Sequence, residues 1–237
     1  MPAGQTRATR IDRETLADAA RALSDPKLRE SNASPSYLHA NPLVPWLFWK
    51  RLDVVAGLLQ AGTARYDCGV DFGCGLGVLL PTLSGMTRQV YATDLLLGPA
   101  RRLTSMLHLE NVAFIEPDAL PASLPPLDYV VSTDVLEHVE DLDATLHVLG
   151  DALKPGGKLV ISGPTENALY KIGRVLVGFG GKGDYHLTNI HHIHDRVCDA
   201  SMGFRMDARR VLPLPGIVEA FYIYAYTRVR ATTTRHS

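Results

Sequence analysis

The sequence predicts an α/β fold: a mostly parallel sheet with helices on both faces. Three observations predict it. Short β-type runs at 89–93, 112–115, 129–131 and 158–162 are separated by helical stretches near 97–108 and 141–153. Strands alternating with helices imply right-handed crossovers and a parallel sheet covered on both sides. An apolar run also leads into Asp71, then Gly73, Gly75 and Gly77, then a helix-like segment with Val78, Leu79, Leu80 and Leu83. That order is strand, glycine turn, helix. The end of the chain differs: runs at 204–212 and 220–229 are joined by a short Pro-Gly loop, which predicts an antiparallel hairpin on the sheet edge.

The flanks follow from composition. Residues 1–10 read as disordered, and 13–23 as an amphipathic helix carrying Leu16, Ala20 and Leu23. Residues 31–42, rich in Ser, Asn and Pro, read as a loop. Pro45 suits a first helical turn, and Trp46, Phe48, Leu52, Val55 and Leu59 make the helix to about Gln60 apolar enough to pack on the sheet. The domain expectation is therefore an N-terminal helix and loop at 1–42, one catalytic-type domain at 43–230 and a disordered tail at 231–237.

The 237 residues suffice for one domain with a sizeable core. A net charge of −1 with interspersed signs argues against a nucleic-acid-binding surface. Three cysteines, Cys68, Cys74 and Cys198, show no disulfide framework and suggest a reducing compartment. No leader-like or membrane-spanning apolar run is present, so a cytoplasmic location is expected.

The glycine turn is a nucleotide-type corner, where the backbone approaches a ligand with no Cβ in the way. No Gly-Lys-Ser/Thr follows, which excludes a Walker loop. The third glycine falls one residue early for the dinucleotide fingerprint, and Val78 stands in its place. Asp71, two residues before the first glycine, can reach a cationic amino group, which S-adenosyl-L-methionine (SAM) has and NAD lacks. Asp94, 17 positions after Gly77, ends the second strand and can accept from both ribose hydroxyls. Asp118 follows the third strand and can accept from an adenine amino group.

These residues carry a family resemblance. Residues 70–77, Asp94, Asp118, the segment 132–139 and Leu153-Lys154-Pro155-Gly156-Gly157 resemble the class I SAM-dependent methyltransferases over about 50–165. The resemblance implies a Rossmann-like seven-stranded sheet, SAM as donor and S-adenosyl-L-homocysteine (SAH) as product. It implies cofactor contacts at Asp71, Gly73, Cys74, Gly75, Gly77, Asp94, Leu95, Asp118, Ala119, Thr133 and Asp134.

A narrower resemblance adds detail. Asp134-Val135-Leu136-Glu137-His138 looks like the acid-x-x-Glu-His segment of the ubiquinone-biosynthesis O-methyltransferases, some of which use the three side chains to hold a divalent cation. Asp134 is one methylene shorter than their Glu, and the Glu-His pair also occurs in related enzymes without metal. Pocket shaping by Glu137 and His138 is therefore favoured over a cation. Residues 181–186 are similar to their lysine-glycine loop, and Tyr222, Tyr224 and Tyr226 fit their last strand.

Four histidines, His186, His191, His192 and His194, cluster after the fifth strand. The last three read as solvated. His186, at the acceptor edge, is the first candidate general base, and His138 the second. Residues 166–182 mix Lys171, Arg174 and Lys182 with apolar side chains and read as a lid over a hydrophobic acceptor, with peripheral membrane contact as the minor reading. The function expected is methyl transfer to a small molecule, at oxygen before nitrogen or carbon, by a monomer or homodimer. A non-catalytic SAM-binding protein and an NAD-dependent oxidoreductase are the rival classes.

Overall fold

The structure, a computed structural model, describes residues 7–23, 34–61, 65–120, 124–165 and 187–229. Its strands are β1 (Tyr66–Phe72), β2 (Thr87–Thr93), β3 (Val112–Phe114), β4 (Leu127–Thr133), β5 (Leu153–Pro164), β6 (Phe204–Leu214) and β7 (Val218–Arg228). They form one seven-stranded sheet in the order β3-β2-β1-β4-β5-β7-β6. The first five are parallel, β7 runs antiparallel to β5, and β6 antiparallel to β7. The expected fold, including the terminal hairpin, is what the chain adopts.

The helices are α1 (Arg13–Ala20), α2 (Ser34–Tyr37), α3 (Leu43–Gln60), α4 (Leu80–Met86), α5 (Gly98–Met106), α6 (Leu142–Ala152) and α7 (Ile190–Val197), with single 3-10 turns at Pro117–Ala119, Leu136–His138 and Ala200–Met202. Side chains alternate along each strand, so the sheet has two cores. On β7, Phe221, Ile223 and Ala225 join the core under α1, α3, α4 and α5. Tyr222, Tyr224 and Tyr226 join the core under α6 and α7.

On α3, Leu52, Val55, Ala56 and Leu59 are buried at helical spacing against the sheet. Its C-terminal carbonyls are capped by Lys158 on β5, whose Nζ donates to the oxygens of Leu59 at 2.9 Å and Ala61 at 2.8 Å. A cation suits that end of a helix.

Two local expectations are corrected. Residues 34–37 form a helical turn rather than loop, because Tyr37 packs edge-on against Phe48 and Trp49, with ring centroids 5.7 and 5.3 Å apart. Residues 7–10 are placed rather than disordered. Asp53 accepts from the Ala8 amide at 3.0 Å and pairs with Arg10 at 2.8 Å, and Ala8 is buried. The expected lid at 166–182 and the loop with His186 lie outside the described residues.

The outer strand β6 carries exposed Arg205, Asp207, Arg209 and Arg210, with Pro213 near its end. The opposite outer strand, β3, has only three residues.

Candidate functional site

The sequence order changes direction between β1 and β4, and ligands of open α/β sheets sit outside the strands' carboxyl ends at such a point. The register aligns those ends: Phe72 pairs with Thr93, Ala92 with Phe114, and Val131 with Asp71.

The glycine turn follows β1. Gly73, Gly75 and Gly77 have φ of 77°, 54° and 83°, the left-handed region that favours glycine. A Cβ on Gly73 would come within 2.2 Å of a Val135 methyl. The turn is therefore packed against the end of β4 and has no room for a side chain. The amides of Gly73 and Cys74 donate to the Thr93 carbonyl at 2.8 and 3.0 Å, which ties the turn to β2. Cys74 is buried, as expected of a small core residue.

Asp94 follows β2. Its carboxylate accepts from the Gly75 amide at 2.8 Å and the Leu96 amide at 2.9 Å. These two bonds fix its orientation and leave lone pairs toward the cleft. Leu95 beside it is 89% exposed, an apolar side chain left at the rim. Asp118 and Ala119 stand in the 3-10 turn after β3, with Asp118 exposed. Asp71, near the end of β1, is only 2% exposed. Burial pushes its carboxyl up to about 7, and the charge of Asp94 adds to that rise.

After β4, Thr133 ends the strand and Asp134 takes φ 57°, unusual for a residue with a side chain. Its amide donates to the Ser162 carbonyl at 2.9 Å. Its Oδ2 is gripped by Nη1 of Arg51, from α3. Arg51 is 2% exposed and lies against the edge-to-face pair of Phe48 and Phe221, each centroid 4.9 Å from its guanidinium carbon. Arg51 was not singled out from the sequence. The available signal was one cation among the apolar positions of α3.

Glu137 is also 2% exposed, and among the described residues neither of its oxygens meets a donor on another residue. Burial pushes it up to about 7, against the opposing pull of Arg51. Its backbone carbonyl accepts from Leu187 at 2.8 Å and Thr188 at 3.3 Å. His138 is exposed. Among the described residues no three Asp, Glu, His or Cys side chains come together as metal ligands. Of the trio Asp134, Glu137 and His138, the first is paired with Arg51, the second is buried and the third is exposed.

A family model described as "Methyltransferase domain" matches residues 12–199. The chain belongs to that methyltransferase family. Its fold is similar to that of an N-methyltransferase from Bradyrhizobium japonicum WM9 in complex with SAH, with a TM-score of 0.62 and 17% identity, over 91% of this chain and 99% of that one. It is also similar to magnesium protoporphyrin IX methyltransferase from Synechocystis PCC 6803 with bound SAH, with a TM-score of 0.60 and 21% identity, over 80% of this chain and 89% of that one. In sequence it is 34% identical over 119 residues to a ubiquinone biosynthesis O-methyltransferase of Xanthomonas oryzae pv. oryzae, covering 47% of this chain and 48% of the relative. It is 29% identical over 147 residues to the Methanothermobacter thermautotrophicus protein named "Probable cobalt-precorrin-6B C(15)-methyltransferase (decarboxylating)", covering 59% of this chain and 73% of that protein. The methyltransferase thus spans about half the length of its ubiquinone-type relatives.

Three histidines of the methyltransferase, His191, His192 and His194, lie on α7. His191 and His192 are exposed. His194 departs from the solvated reading. Its ring stacks on Tyr224 at 4.4 Å, and its Nδ1 lies 2.7 Å from the Tyr226 hydroxyl. Burial holds it below the usual imidazole range. It is a packing residue of the second core. No helix among the described residues is long and apolar enough to cross a membrane.

Proposed function

We propose that this methyltransferase moves the methyl group of SAM to an oxygen atom of a small, apolar-bodied acceptor. The observation that carries the reading is the donor corner. A side-chain-free turn is tied to β2, Asp94 is oriented by two amides, and a buried carboxyl stands at Asp71.

The residues present fit the donor. Asp94 takes the ribose hydroxyls and Leu95 covers one face of the adenine, with Asp118 and Ala119 at its edge. Gly73, Cys74, Gly75 and Gly77 supply close backbone, Asp71 supports the amino-acid end, and Thr133 and the Asp134 backbone border the reacting end. SAM supplies a sulfonium methyl group for in-line displacement. The protein's part is alignment and exclusion of water. A hydroxyl acceptor also needs its proton removed. His186, outside the described residues, remains the first candidate, and exposed His138 the second.

Two relatives support oxygen or another small-molecule atom as target: one is named an O-methyltransferase and one a C-methyltransferase. The test is SAH release against phenols, catechols, sugars, carboxylates and amines, each with magnesium and with EDTA. Turnover on a hydroxyl compound, unchanged by EDTA, is expected, since Asp134 is already paired with Arg51. Loss of turnover in EDTA would restore the cation reading. Turnover confined to amines would replace oxygen by nitrogen. Replacement of Asp94 by Ala is expected to weaken SAH binding at least roughly a hundredfold, the order of two hydrogen bonds to a charged group, with the domain still folded. Unchanged affinity would remove Asp94 from the site.

A further inference from the structure

Beyond the donor corner, one cluster holds buried polar atoms that have no partner among the described residues. They are Nε of Arg51, Oδ1 of Asp134 and both carboxylate oxygens of Glu137. Nearly every buried polar group in a folded protein has a partner, and an orphaned one costs more than an unmade bond. Atoms of this kind gathered in one place are explained by a ligand.

The cluster lies where an acceptor belongs. Asp134 directly follows β4, and Val135 touches Gly73 of the donor corner. On the other side, β4 pairs with β5, and β5 with β7, which brings Phe221 beside Arg51. Phe48, Phe221 and Tyr37 wall the guanidinium, with the Tyr37 hydroxyl 3.4 Å from Nη2.

The chemistry of the cluster is one-sided. Three of the four free atoms are acceptors. The cation of Arg51 is engaged by Asp134, so no free positive charge remains for an anion. We infer that this is the acceptor's head-group subsite, built for a neutral hydroxyl that donates to Glu137 and set against a carboxylate in the same place. Arg51 is the positioning residue. It holds Asp134 in its left-handed conformation, and the turn that carries Glu137 follows from that. Phe48, the partly exposed ring of the three, takes the adjoining apolar body. The inference rests on the SAM-dependent reading above and adds the charge and hydrogen-bonding class of the acceptor.

The test is calorimetric titration of SAH-saturated protein with hexylphenol, hexylbenzene and hexylbenzoate, which share a tail and differ in head group. The phenol is expected to bind roughly tenfold tighter than hexylbenzene, the order of one hydrogen bond to a charged group, with the benzoate weakest. Glu137→Met, similar in size and without an acceptor oxygen, should erase the preference for the phenol. Glu137→Gln should raise benzoate affinity by removing the charge. Both variants should bind SAH as the parent protein does. Equal binding of the three compounds, or the parent order retained in both variants, overturns the inference while leaving the donor site standing. A parent protein that binds no SAH overturns both.

Discussion

Asp71 shows how one side chain can be tuned by being out of reach of water. Burial, and secondarily Asp94, raise its carboxyl from 3.8 to about 7. Unfolded, the group ionises near its ordinary value, so between the two values the folded chain keeps a proton that the unfolded chain has released. Its contribution to stability is full below about 4 and is lost as pH rises through about 7. Melting temperature should therefore fall across this window, and Asp71→Asn should flatten the part owed to this residue. An identical pH profile in the variant would show that the carboxyl ionises normally. Asp71 stood out in the sequence because its place before the first glycine has a chemical reason. Arg51 was not, because only a tertiary contact distinguishes a buried cation from a solvated one on the same helix. His194 shows the same blindness: spacing told which face of α7 it shares, and not that a tyrosine row on β7 would cover it.

At the scale of elements, periodicity and turn chemistry located the strands and long helices, and tertiary packing set what they missed. The short helix α2 arises from aromatic contacts made with α3, outside its own polar composition. The helix after the fifth strand has a local signal. The side chain of Asn189 accepts from the amides of His191 and His192, both at 3.0 Å, as a helix N-cap. Asn189→Ala should cost about 1 kcal/mol, read as a lower midpoint in denaturant with an unchanged slope. A midpoint equal to the parent's would mean that α7 is held by Ile190, Ile193 and Val197 alone.

Across the whole molecule, the N-terminal helix is part of the core. Leu16 is 1% exposed among residues of α3, α4 and α5, and Asp18 pairs with Arg102 of α5 at 2.7 Å. Leu16→Ala should cost about 3 kcal/mol, the usual order for a buried leucine, and lower the melting temperature by roughly 6–12 °C for a chain of this size. A fall of under about 2 °C would show that α1 detaches before the sheet unfolds. The sequence anticipated this helix and its amphipathic face. It did not show that the segment before it would be drawn in by Asp53.

The charges along β6 and the brevity of β3 have a consequence for how copies of this chain can meet. A free sheet margin offers unpaired amides and carbonyls to any passing strand. Here one margin is too short to template a neighbour, and the other would set Arg205, Arg209 and Arg210 beside their own counterparts. Association by continuing the sheet from one molecule into the next is thereby discouraged, which protects a concentrated solution of the protein from growing ribbons.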